Sequence, residues 1–119
     1  MEESLVMNKH WKGVDFDGTL AEYDGDYSSY RIGRPISLML NRVQRWLAQG
    51  EDVRIVTARV ATTNPNAIQN KKLIQAWLKT YLGTELVITS EKDPWMDELW
   101  DDKAVQVISN TGLRVDGRN

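Results

Sequence analysis

A chain of 119 residues, 41% of them hydrophobic and 27% charged, has the size of one domain and the balance of a globular protein rather than a disordered one. Cysteine is absent and His10 is the single histidine, which excludes disulfides, thiol chemistry and histidine metal clusters, so any metal has to be held mainly by oxygen, as Mg²⁺, Mn²⁺ or Ca²⁺ are. The formal net charge of −2, with no long basic run, gives no electrostatic footprint for nucleic acid. No apolar run approaches the ~18 residues that span a bilayer, and the acidic start Met1-Glu2-Glu3-Ser4 lacks a signal peptide's basic region, so a cytoplasmic protein is expected.

In chain order, residues 1–8 read as a loose lead-in. Trp11 to Phe16 is short, apolar and stopped by Asp17-Gly18, the pattern of a buried strand ending at a turn. Residues 18–34 are polar and rich in Gly, Tyr and Ser, which makes them a loop. Pro35 opens a helical pattern in which Ile36, Leu40, Val43 and Leu47 recur on one face, and Gly50 stops it. Val53 to Thr57 is the second strand. A second helix is expected to begin near Asn64-Pro65, with Ile68, Leu73, Ile74, Trp77, Leu78, Tyr81 and Leu82 on its apolar face, and to end at Gly83. Leu86 to Thr89 reads as a third strand, Glu98 to Trp100 as a fourth, and Ala104 to Ile108 as a fifth. Trp46 and Trp77 are candidate core anchors. The order predicts an α/β fold, a single Rossmann-like three-layer sandwich over residues 1–119 with a mainly parallel five-stranded sheet.

In such a sheet, sites form beyond the carboxyl ends of the strands. Asp15 and Asp17 end the first strand, Thr57 the second, Lys92 follows the third, and Asp101 and Asp102 follow the fourth. The expected neighbourhood therefore holds carboxylates, a hydroxyl and an ammonium. That combination fits phosphoryl transfer. Carboxylates suit Mg²⁺, which offsets repulsion between a phosphate and an anionic nucleophile, and a lysine stabilises charge on the phosphoryl oxygens. An aspartate nucleophile splits hydrolysis into two steps, and a second carboxyl two residues on can protonate the leaving group and then activate water. Asp-x-Asp alone decides nothing. With ten Asp in the chain about 0.8 such pairs arise by chance, and Asp24-Gly25-Asp26 reads as one of these, a turn.

The longer string Val14-Asp15-Phe16-Asp17-Gly18-Thr19-Leu20 resembles the first motif of the haloacid dehalogenase superfamily of phosphohydrolases. The likeness continues in order. Val53 to Thr57 is similar to the second motif, Lys92 takes the place of the third-motif lysine, and Leu99-Trp100-Asp101-Asp102 resembles the fourth. The resemblance implies a Mg²⁺-dependent phosphatase with Asp15 as nucleophile and metal ligand. It implies Asp17 as general acid/base, with its backbone carbonyl on the metal. Thr57 and Lys92 would hold the phosphate, with Gly18, Thr19, Ala58 and Arg59 beside it. Asp101 would be the direct acidic Mg²⁺ ligand, with Asp102 supporting it. Fourteen residues separate Gly18 from Gly33, too few for a cap domain. A capless member implies a large or exposed phosphorylated substrate, or a homo-oligomer that covers the site. Tyr23, Tyr27, Tyr30 and Arg31 are either substrate contacts or loop packing. Thr57-Ala58-Arg59 with Trp77-Leu78 is also similar, over a short span, to the 3′-phosphatase part of polynucleotide kinase-phosphatases, so nucleic acid stays among the candidate partners without support from net charge. The alternatives are a catalytically silent binding or regulatory module of the same fold and a receiver-like domain, the latter disfavoured because Asp15-x-Asp17-Gly18-Thr19 sits on strand one.

Overall fold

The structure is a computed structural model, and it describes residues 10–25 and 31–119. The expectations for residues 1–8, Tyr27 and Tyr30 lie outside the described residues. Four parallel strands form one sheet in the order β3-β2-β1-β4, with β1 Trp11–Asp15, β2 Val53–Val56, β3 Ile88–Thr89 and β4 Met96–Trp100. Two helices, α1 Ser37–Ala48 and α2 Ala67–Leu82, join β1 to β2 and β2 to β3, as parallel pairing requires a crossover. Val14 of β1 pairs with Ile55 and with Trp100, so β1 is central and its end is walled on both sides. No helix among the described residues is long and apolar enough to cross a membrane.

Burial follows the apolar pattern. Val14, Phe16, Met39, Val43, Ile55, Ile74, Trp77 and Leu78 form one cluster between the sheet and the helices. Phe16 meets Trp77 edge-on at 4.9 Å, while Trp46 leaves the centre to pack against Trp100 at 5.1 Å, geometries aromatic rings favour. The opposite face of β1 carries Trp11 under the Arg54 guanidinium, 4.7 Å from the ring. At the sheet edge, β4 points Asp97 and Glu98 outward, where they pair with His10 at 2.8 Å and Lys12 at 3.3 Å.

Several sequence expectations need correction. The sheet has four strands among the described residues, not five. Ala104 to Ile108 leaves the sheet, and Val107 forms an isolated antiparallel bridge to Arg114. The chain turns after β4, where the Asp101 carboxylate accepts the Lys103 amide, and residues 106–115 then close on themselves through Val115 N to Gln106 O and Ile108 N to Leu113 O. Alternating aliphatics fit a hairpin as well as a sheet strand, and here Val105, Val107 and Ile108 remain about half exposed. The second helix begins at Ala67 rather than at Asn64, because Asn64 caps a turn, accepting the Asn66 amide at 2.9 Å. Ile68, expected on the apolar face, is exposed, and the buried position in that turn belongs to Asn70. The two helix stops are as expected, with Gly50 at φ +83° and Gly83 at φ +81°, conformations that glycine adopts without strain.

The loop after β1 is strapped to the core. Glu22 N donates to Arg34 O, Ile36 N to Leu20 O, and Trp77 Nε1 to Gly33 O. A Cβ on Gly33 would stand 2.0 Å from the Glu22 carbonyl oxygen, which is backbone and has no side-chain freedom to yield. Gly33→Ala is therefore expected to destabilise the fold by about 1–3 kcal/mol, read as a lower midpoint in urea unfolding. An unchanged midpoint would show that the strap is dispensable.

Candidate active site

The strand ends deliver their side chains to one edge of the sheet. β1 supplies Asp15 and, after the turn, Asp17. β2 supplies Thr57 and the short 3₁₀ turn Ala58–Val60, β3 is followed by Ser90, and β4 by Asp101 and Lys103. All of these except Val60 line a cleft of about 400 Å³. Gly18, Thr19 and Asp102 border an adjoining depression of about 290 Å³ that also reaches Asp101. Asp101 thus faces both spaces, and Asp102 lies on the Thr19 side.

Asp15, Asp101 and Asp102 converge, with one carboxylate oxygen from each within 4.8 Å of the others. The Thr19 hydroxyl sits among them. It accepts the Asp102 amide at 3.1 Å, and its single proton is within reach of Asp15 at 3.3 Å and Asp102 at 3.2 Å. Gly18 suits this close approach. It holds φ +87°, and a Cβ there would lie 2.7 Å from Asp102 Oδ2. The turn consumes its own amides, since Gly18 N donates to Ala21 O and Thr19 N, Leu20 N and Ala21 N all converge on Phe16 O. The backbone of Gly18 and Thr19 therefore shapes the acid cluster rather than offering donors to the main cleft.

The Asp15 carboxyl is pushed up to about 7 from 3.8, first by burial, then by its hydrogen-bonded approach to Asp102 and the negative charge of Asp101, with the Phe16 amide acting the other way. Three converging acids share charge poorly without a cation. Their oxygen chemistry fits a hard divalent ion such as Mg²⁺.

Asp17 takes a different place. Its two carboxylate oxygens receive Arg59 Nε at 2.6 Å and Nη2 at 3.0 Å, in a pair that is 3% and 6% exposed. Arg59 is itself anchored at three further points. Its amide donates to Thr57 Oγ1, its carbonyl accepts from Asn70 Nδ2, and Nη2 also reaches Arg31 O. Thr57, nearly fully buried, lines the cleft and accepts the Arg59 amide on its hydroxyl oxygen. The Asn70 Oδ1 has no partner among the described residues.

Of the residues singled out in the sequence, Asp15, Asp17, Thr57, Ala58, Arg59 and Asp101 meet at the cleft, and Gly18, Thr19 and Asp102 stand behind it. Lys92 is exposed and is not among the residues lining either space. Tyr23 and Arg31 border a separate depression of about 390 Å³ that shares Asp17, and Arg31 pairs with Asp24. Ser90, Lys103 and Asn70 were not singled out. Ser90 directly follows a strand and Lys103 a pair of acids, which is the signal that marks both. Comparisons with protein-family models, with curated proteins and with solved structures returned no match.

Two outcomes follow from these geometries. Breaking a buried, hydrogen-bonded pair leaves an uncompensated charge, so Arg59→Ala is expected to cost about 3–5 kcal/mol of stability, measured by urea unfolding. A cost below about 1 kcal/mol would mean Asp17 finds water instead. In metal-free protein, the raised Asp15 means that the folded state binds a proton the unfolded chain has lost, so its penalty is complete above pH 7, shrinks as pH falls from about 7 toward 3.8, and is gone below. With EDTA present, Asp15→Asn should melt above wild type at pH 8, and the gap should close as the pH drops through that window. A gap independent of pH would contradict the assignment.

Proposed function

We propose that the chain is a Mg²⁺-dependent phosphomonoester hydrolase working through an aspartyl-phosphate on Asp15. The observation that carries this reading is the convergence of Asp15, Asp101 and Asp102 at the carboxyl edge of a parallel sheet, beside the buried Thr57 hydroxyl. The ordered motif residues of the haloacid dehalogenase type support it.

Asp15 and Asp101, with Asp102 behind them, would hold Mg²⁺, whose charge when bound neutralises both nucleophile and phosphate. An Asp15 carboxylate oxygen attacks phosphorus, a new P–O bond forms, and the bond to the leaving oxygen breaks. That oxygen takes a proton from Asp17. A water then attacks the phosphoryl-aspartate, Asp17 accepts the water's proton, and free phosphate and the Asp15 carboxylate return. For Asp17 to carry that proton, Arg59 has to release at least one of its two oxygens. Thr57 donates its hydroxyl proton to a phosphoryl oxygen. The substrate classes that fit an open, capless cleft are a nucleotide, a nucleic-acid end, a sugar phosphate or a phosphoprotein.

One observation favours a second reading. Asp17, with both oxygens engaged by Arg59, is also what a silent phosphate-binding module would show.

Phosphate release from a panel of phosphomonoesters, including 3′- and 5′-phosphorylated oligonucleotides, separates the two. The hydrolase reading expects Mg²⁺-dependent turnover that EDTA stops and that Asp15→Asn lowers by about 10⁴-fold or more. A folded protein whose melting temperature rises with Mg²⁺, yet which turns over no member of the panel, would leave the binding module.

A further inference from the structure

We propose that Lys103, together with Ser90, provides the cationic contact for the phosphate in this cleft, the part that the motif order assigns to Lys92. The proposal rests on the phosphatase reading for its chemistry, but it stands on the placement of three side chains.

The cleft lining contains two cations, Arg59 and Lys103, against Asp15, Asp17 and Asp101. The Arg59 fork is matched to Asp17, and its Nη2 is shared with the Arg31 carbonyl. Lys103 lines the same cleft from the turn after β4. Its amide is held by Asp101 Oδ1 at 2.9 Å, which closes a tight turn and fixes where the side chain leaves β4's end. Ser90 stands at the end of β3, where the Thr89 hydroxyl accepts the Glu91 amide at 3.0 Å and fixes a second tight turn. An ammonium on a flexible four-carbon stem and a hydroxyl suit the spare oxygens of a phosphoryl group, one as a point charge with rotatable donors and the other as a single donor.

Lys92 lies exposed on the segment that leads away from the cleft. Its neighbour Asp93 accepts Trp11 Nε1 at 2.8 Å and the Trp95 amide at 2.9 Å, and Trp95 O in turn accepts the Trp11 amide at 3.0 Å. Trp11 is the first residue of β1 and Asp15 the last, a separation of about 13 Å along a strand. The chain after Ser90 has therefore already run back toward the beginning of the strands by residue 93. The pairing of Asp93 with Trp11 and Arg54 keeps it there.

Inorganic phosphate is the probe, titrated calorimetrically into the Mg²⁺-loaded full chain, with Lys103→Met, Lys103→Arg and Lys92→Met alongside wild type and melting temperatures confirming that each is folded. Lys103→Met is expected to weaken phosphate at least tenfold and Lys103→Arg to restore most of it, while Lys92→Met stays within about twofold. In turnover of the best panel substrate, Lys103→Met should raise KM in the same proportion. Equal binding by Lys103→Met and wild type, loss in Lys92→Met instead, or a wild type that binds no phosphate would each overturn the proposal. Binding that depends on Lys103 in a protein with no turnover would retain it and remove the hydrolase reading alone.

Discussion

The buried pair between Asp17 and Arg59 is the constraint on which the site is built. It joins the turn after β1 to the turn after β2, two segments brought side by side only by the parallel register of Val14 against Ile55. Desolvating both charges is expensive, and the bidentate geometry together with the Thr57, Asn70 and Arg31 contacts offsets that cost. Because Arg59 also holds the carbonyl of Arg31, the same guanidinium positions the start of the 31–36 strap. The cleft walls and the loop over the core therefore share one anchor.

Asp15 lies on the other side of that anchor, and its environment is the reverse. Asp17 has a matched cation, whereas Asp15 has two more acids and a threonine hydroxyl. Two aspartates two residues apart thus meet opposite electrostatic surroundings, one crowded by like charge and the other matched by a guanidinium. The fold achieves this by ending β1 at Asp15 and turning sharply through Gly18, so that the period-two rule, which would point both carboxylates the same way, no longer applies.

Much of this was legible because the strands are short apolar runs stopped by polar residues, and the strand ends in a parallel sheet share an edge. Asp15, Thr57 and Asp101 were found that way. The Asp17–Arg59 pair was not, since it depends on a side-chain direction after a turn rather than on spacing. Lys92 and Lys103 are both lysines shortly after a strand, and only the return path of the chain past Trp11 distinguishes them. The extra strand expected at Ala104 to Ile108 has a similar origin, because alternation states that a segment is extended but not which partner it pairs with. Asn70 was invisible for the converse reason, a polar residue that a helical pattern assigns to the outside.

The outward row of acids on β4 has a consequence for the molecule in a crowded solution. An edge strand presents unpaired amides and carbonyls that a strand of another chain can extend. At this edge an incoming strand would have to cover Asp97 and Glu98, whose partners His10 and Lys12 belong to the strand beneath and its lead residue. Stripping water from those carboxylates while their counter-charges stay on one side is unfavourable, and the register shift that leaves Asp97 without a partner on β1 makes this edge a poorer template for strand addition.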